Sequence, residues 1–150
     1  LDNWPTLRTT ALDLSPAYLG KARATLSAYR HVRFVEAKAE ATGLPAASFD
    51  IITAVYLFHE LPPKVRSEAA AEIARLLRPG GTFILVDTIQ YGDESGFDTL
   101  LEAFPRAFHE PYYDSFCRLD LGGHFAAAGL ARGEERVAFL TKATAFTKPA

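Results

Sequence analysis

Asp13 closes a run of β-branched and apolar residues, Arg8–Asp13 (RTTALD), and is followed at once by Leu14-Ser15-Pro16. In nucleotide-binding α/β folds an acid at the end of a strand, beside a helix start, points out of the carboxyl edge of the sheet. There its oxygens can accept hydrogen bonds from ribose hydroxyls. The same acid can instead complement the dipole of the next helix or begin a turn, and the tetrapeptide alone leaves both roles open. His59-Glu60 is a second pair with chemistry available. An imidazole titrates near neutral pH and can serve as general base; as a structural pair, the two would cap or pack the helix opening at Pro62-Pro63. They lack the i, i+4 spacing or the Cys/His cluster of a zinc site, so no metal site is expected. Between Phe104 and Phe116, the aromatics Tyr112, Tyr113 and Phe116 stand among His109, Glu110 and Asp114. Such a stretch can wall an apolar pocket for a ring or a lipid-like molecule, or simply fill core. Cys117 has no neighbour pattern marking a nucleophile and reads as a small buried hydrophobe.

The length of 150 residues suits one domain, with 49% apolar and 23% charged residues as in ordinary globular proteins. A net charge of −2 gives no electrostatic footprint for nucleic acid or an anionic membrane. One cysteine excludes an internal disulfide and any cysteine-based zinc site, which fits a reducing, cytoplasmic setting. No apolar run approaches the roughly 20 residues that span a bilayer, and no signal peptide is visible. The chain contains no methionine, so Leu1 is not expected to be a biological start, and Leu1–Pro5 reads as a helix end with its exit loop.

The elements that must position these residues alternate. After the strand Arg8–Asp13, Ser15 is the N-cap and Pro16 the first residue of a helix to about Tyr29, with Leu19, Ala22, Leu26 and Tyr29 on one face. Val32–Glu36 is a short strand, and a polar connection runs to Ser48. Phe49–Tyr56 is a nearly continuous apolar run, expected of a strand buried on both faces. A helix follows Pro62-Pro63 to about Leu77, with Val65, Ala69, Ile73, Leu76 and Leu77 on its face. Pro79-Gly80-Gly81 stops it before the buried strand Thr82–Val86. This is the order of a parallel sheet covered by helices. Beyond it, Phe97–Phe108 is helix-compatible, His109–Cys117 irregular, and Asp120–Ala128 a short helix closed by Gly129. Arg136–Leu140 and Ala143–Thr147 are two strands joined by a tight turn.

The segments ALDLSP (Ala11–Pro16), FVEAKAEATGLP (Phe34–Pro45), SFDIITAVYLFHELP (Ser48–Pro62) and LLRPGGTFILVD (Leu76–Asp87), in this order and spacing, resemble the class I S-adenosylmethionine-dependent methyltransferases. The likeness is greatest to those similar to the ubiquinone/menaquinone-biosynthesis type. The resemblance implies a Rossmann-like α/β fold, three-layered and mostly parallel, ending in an antiparallel hairpin. It implies S-adenosyl-L-methionine as cofactor and methyl transfer to a small-molecule acceptor, with the acceptor's identity and the oligomeric state left open. Asp13 matches the family's ribose-binding acid, Leu14 lies beside the adenine, and Ala39 and Glu40 border that ring. Tyr56 and Leu57 lie along the cofactor, and Arg78-Pro79-Gly80-Gly81 is a structural turn.

Two departures accompany the likeness. Lys38 stands where the family commonly has an acid, and as a donor-only side chain it cannot accept from the adenine amino group. The family's first strand and its Gly-x-Gly-x-Gly loop are absent from this sequence. The expectation is a chain truncated just after that loop, with the absent strand belonging between Arg8–Asp13 and Phe49–Tyr56, hence poorly stable and inactive by itself. Two other functions stay open. A nicotinamide-dependent oxidoreductase also uses an acid after its second strand, although no Tyr-x-x-x-Lys pair is present. A non-catalytic binding module would tolerate Lys38 and the lack of the loop.

Overall fold

The computed structural model describes Asn3 and residues 6–150. The helix-exit reading of Leu1–Pro5 therefore lies, but for Asn3, outside the described residues. The chain forms two compact units, Leu1–Gly43 and Leu44–Ala150. Among the described residues no helix is long and apolar enough to cross a membrane.

In the first unit, β1 (Thr9–Asp13) and β2 (Val32–Glu36) form a parallel pair connected by α1 (Pro16–Thr25). Thr9 lies opposite Val32 and Asp13 opposite Glu36. The helix starts as its sequence dictates, with Pro16 in the first turn and the Ser15 hydroxyl accepting from the Tyr18 amide. It ends earlier than Tyr29. Leu26 leaves helical geometry, and the Tyr29 amide bonds to the Leu26 carbonyl at 3.0 Å, which closes a turn. The expected face is retained: Leu19 is buried and Ala22, Leu26 and Tyr29 are half-buried, although the last two lie beyond the helix.

The second unit is built on a four-stranded sheet in the order β3 (Phe49–Val55), β4 (Leu77–Thr88), β6 (Thr141–Thr147), β5 (Ala131–Ala138). β3 and β4 are parallel, while β6 pairs antiparallel with both β4 and β5. The expected Rossmann-like α/β class, with parallel strands and a C-terminal antiparallel hairpin, is thus present. The hairpin strands are longer than Arg136–Leu140 and Ala143–Thr147. Every residue of β5 is exposed, so its charged stretch shows no alternation and only the ladder to β6 defines its length.

Pro79-Gly80-Gly81 does not separate a helix from a strand. α2 (Pro63–Leu76) passes directly into β4, and the three residues form an irregularity within that strand. Phe49 pairs with Leu77 but Ile51 with Thr82. Gly80 has φ +77°, and a Cβ on Gly81 would sit 2.9 Å from the Arg78 carbonyl oxygen and 3.1 Å from that of Asp50. Both glycines are therefore structural requirements of the bulge.

One sheet face is covered. Ala54, Phe83, Leu85, Asp87, Thr144 and Phe146 share it and are buried. Four phenylalanines with no exposure, Phe58, Phe83, Phe125 and Phe146, bind the covering elements to it, with ring centroids 4.3–6.1 Å apart. Such ring pairs contribute about 0.5–1.5 kcal/mol each beyond their buried area. The expectation that β3 is buried on both faces is corrected by its alternation. Ala54 is buried, whereas Ile51 and Val55 on the opposite face are 61% and 59% exposed. The run is apolar throughout, but in this unit only one side of it meets packed side chains.

α3 (Asp98–Phe108) and α4 (Tyr113–Cys117) pack at the carboxyl end of β4 around Ile89, Leu101, Tyr113 and Cys117. α4 replaces the last part of the irregular stretch expected over His109–Cys117. α5 (Leu121–Ala127) follows, capped by the Asp120 carboxylate on the Gly123 amide, and Gly129 takes φ +85° after it.

Candidate active site

β3 and β4 run parallel, so their carboxyl ends open on the same side, where ligands of open α/β sheets bind. At the end of β3, Tyr56 adopts φ +49° while its amide still reaches the Val86 carbonyl at 2.8 Å. Left-handed backbone at a bulky residue costs on the order of 1–3 kcal/mol and is held by its surroundings. Here the Tyr56 hydroxyl is hydrogen-bonded to the Thr141 hydroxyl. The sharp exit carries the half-buried Leu57 into a single 3₁₀ turn, Phe58–Glu60, which delivers His59 over the end of β4.

At that end stands Asp87, 1% exposed. Its Oδ1 accepts from His59 Nδ1 at 2.6 Å and from the Thr88 amide at 2.8 Å, and its Oδ2 accepts from the Phe58 amide at 2.9 Å. The carboxylate thereby fixes the tautomer that leaves Nε2 free to accept a proton. Burial opposes a charged imidazole. The hydrogen bond and charge of Asp87, joined by the charges of Glu60 and Glu110, outweigh it, so the His59 pKa lies above its ordinary 6.5. One nitrogen of His59 and one carboxylate oxygen each of Glu60 and Glu110 lie within 4.8 Å of one another.

Beneath this group lies a buried cation. Arg66 sits on the inward face of α2 with 1% exposure. Its Nε donates to the Phe58 carbonyl at 2.8 Å, its Nη2 donates to the Tyr112 carbonyl at 2.6 Å, and its guanidinium lies 5.6 Å from the Phe116 ring. The residues just before His59 and just before Tyr113 are thus held by one side chain.

Above it a cavity of about 170 Å³ is lined by Tyr56, His59, Thr88, Leu100, Leu101, Phe104, Glu110, Tyr113 and Leu140. Burial pushes the Tyr113 phenol up to about 12, and its hydroxyl is hydrogen-bonded to Thr88 Oγ1 at 2.7 Å. Of the three aromatics expected at a pocket, Tyr113 lines this one. Phe116 is fully buried below Arg66, and Tyr112 contributes its backbone carbonyl to Arg66. Burial pushes the Cys117 thiol up to about 12 as well, so it stays protonated.

In the first unit Asp13 ends β1, and its Oδ1 accepts from the Ser15 amide at 2.7 Å. The turn-forming role is therefore real, and it leaves Oδ2 with no protein partner among the described residues. A free carboxylate oxygen suits a ribose hydroxyl, and Leu14, 62% exposed beside it, suits an apolar ring face. Ala39 and Glu40 follow β2 and are half-buried; Lys38 is exposed. The Lys38 carbonyl already accepts from the Ala41 amide at 3.2 Å.

His59 is legible in the sequence as a candidate base, and Glu110 as an acid in the aromatic stretch without a role; Asp87 and Arg66 are not marked as site residues there. Asp87 closes the LLRPGGTFILVD segment at a strand end, the same signal that marked Asp13. Arg66 and Glu110 carry no local signal: the carbonyls that hold Arg66 lie 8 and 46 residues away, and Glu110 meets His59 and Glu60 from 50 or more residues away.

Residues 1–81 match the family described as a methyltransferase domain. The chain is similar to the ubiquinone/menaquinone biosynthesis C-methyltransferase of Methylobacterium nodulans, 34% identical over 102 residues, covering 67% of this chain and 39% of that protein. It therefore spans well under half the length of that relative. Among solved structures it is similar to an O-methyltransferase family protein from Burkholderia thailandensis, with TM-score 0.75 and 21% identity over 97% of this chain and 45% of the other. It is also similar to the 1,6-didemethyltoxoflavin-N1-methyltransferase of Burkholderia thailandensis, solved with 1,6-didemethyltoxoflavin and S-adenosylhomocysteine bound. That likeness has TM-score 0.64 and 18% identity over 95% of this chain and 62% of the other.

Proposed function

The chain belongs to the methyltransferase domain family, and on that premise we propose that the protein transfers a methyl group from S-adenosyl-L-methionine to a small-molecule acceptor. The observation that carries the reading is the His59–Asp87 pair at the carboxyl ends of two parallel strands, facing an apolar cavity. When bound, the cofactor supplies a methyl group activated by its sulfonium.

This chain's residues do the positioning. Asp13 holds a ribose hydroxyl through Oδ2, Leu14 and Ala39 present apolar surface to the base, and Glu40 replaces Lys38 as acceptor for the adenine amino group. Tyr56 and Leu57, at the carboxyl end of β3, are read by family resemblance as residues that run along the cofactor. Leu100, Leu101, Phe104, Tyr113 and Leu140 orient the acceptor and exclude water. His59 Nε2 receives the acceptor's proton, and Asp87 stabilises the imidazolium that results. Phe116 and Tyr112 support the wall that Tyr113 forms. A cytoplasmic setting accompanies this reading, with Cys117 a buried free thiol.

Calorimetry with S-adenosylhomocysteine tests the proposal. Saturable binding that weakens in Asp13→Ala supports it. Absence of heat at high ligand concentration favours a non-catalytic binding module, a reading that Lys38 also suits.

A further inference from the structure

We infer that the acceptor is a small amine, bound as its ammonium form and selected by the carboxylates of Glu110 and Glu60; this rests on the methyltransferase reading of the same cavity. Its volume of about 170 Å³ is well below the roughly 300–1,000 Å³ of drug-sized sites, so it suits one ring or a short chain. Its walls are apolar, and most of the polar groups on them are already engaged. The Tyr56 hydroxyl bonds Thr141, the Tyr113 hydroxyl bonds Thr88, and His59 Nδ1 bonds Asp87. Of the titratable lining groups there remain Glu110 and His59 Nε2, the latter 3.7 Å from Glu60 Oε1, and the three residues form the 4.8 Å cluster.

The charge of that cluster decides the class of ligand. No lysine or arginine is among the lining residues, and no cationic side chain pairs with Glu110 among the described residues. Arg66 is committed beneath the site to the carbonyls of Phe58 and Tyr112. A carboxylate or phosphate entering here would meet two acids, and the one titratable cation of the lining, the His59 imidazole, is already engaged by Asp87 and Glu60. An oxygen acceptor would have to develop negative charge beside them. An ammonium enters already complementary, because low-polarity walls strengthen its attraction to Glu110. It becomes a nucleophile by giving one proton to Nε2 of the neutral His59 imidazole. The positive charge moves from the ligand to the imidazole, which Asp87, Glu60 and Glu110 stabilise, and the nitrogen lone pair is exposed.

Benzylamine, benzyl alcohol and benzoate share one ring and differ in charge, so they serve as probes in NMR titrations of the protein near pH 7. Benzylamine is expected to bind about tenfold tighter than either other probe and to shift the His59 ring resonances. Glu110→Gln should abolish most of that preference, and Glu110→Asp, which keeps the charge, should retain it. Benzoate or benzyl alcohol binding as tightly as benzylamine, no benzylamine binding, or an unchanged preference in a folded Glu110→Gln overturns the inference. S-adenosylhomocysteine calorimetry separates the two layers. Charge-selective probe binding without cofactor binding sinks the methyltransferase reading but leaves the ammonium site. Cofactor binding without charge selectivity does the reverse.

Discussion

His59 Nδ1 and Asp87 Oδ1 meet at 2.6 Å across 28 residues of sequence, one on a 3₁₀ turn after β3 and the other at the end of β4. The same carboxylate accepts two backbone amides, so it sets both the imidazole's tautomer and the path of the turn. Asp87→Asn must present an amide to three donors. We expect it to cost about 2–3 kcal/mol of stability and to lower the His59 pKa, because burial then acts without its counter-charge. Chemical denaturation and NMR titration of the His59 ring read the two effects separately.

The two partly or fully buried histidines give opposite pH dependences. The His59 pKa is raised in the folded chain, so its contribution is complete below the unfolded value near 6.5 and is lost as pH rises through the folded value. His124 is lowered by burial, with the Arg66 charge acting in the same sense, and its Nε2 has no hydrogen-bond partner. Its neutral form is the one the fold accepts, so stability falls as pH drops below about 6.5. Unfolding free energies between pH 5 and 8 should show His124→Leu losing the acid-side decline. His59→Gln should be most destabilised at the acid end. Two variants with parallel pH profiles would contradict both assignments.

Arg66 shows where sequence reading succeeds and where it stops. The α2 face of Val65, Ala69, Ile73 and Leu76 follows from spacing alone, and so do β1, β2 and the parallel pair β3/β4. Nothing local distinguishes Arg66 from a solvated arginine, because what buries it is two carbonyls contributed by the 3₁₀ turn and the start of α4. Likewise β3 reads as doubly buried because its composition records apolar side chains but not which side is packed. His59 was visible as a residue type; its partner and the cavity beside it are products of the tertiary fold. Arg66→Met should leave both carbonyls unpaired and cost about 3 kcal/mol. Thermal or urea unfolding measures this, and a shift under about 0.5 kcal/mol would show that the carbonyls find other partners.

The bulge in β4 makes a sharper test of backbone geometry. Gly81→Ala places a methyl 2.9 Å from a backbone oxygen, a contact only main-chain movement can relieve, and should destabilise by about 2 kcal/mol. Gly80→Ala meets open space but retains a positive φ, so its cost should be about 1 kcal/mol. Reversal of that order in denaturation experiments would show that the strand adjusts around residue 81.

Asp13→Ala should reduce affinity for S-adenosylhomocysteine about tenfold or more, from the loss of hydrogen bonds to a charged acceptor. Because Ser15 still caps α1, the fold of the first unit should be little changed. Circular dichroism beside the calorimetry distinguishes lost binding from lost structure.

Among the described residues β3 is the edge of its sheet, with β4 as its one neighbour. The Tyr56 amide points toward β4, and strand alternation turns the amides of Val55, Thr53 and Ile51 the other way. Deuterium should therefore enter this strand in two populations, retained at every second amide and exchanged early at those between. A segment with the composition of a protein interior would carry the isotopic signature of a surface, and its free row of donors and acceptors would readily take on another extended chain.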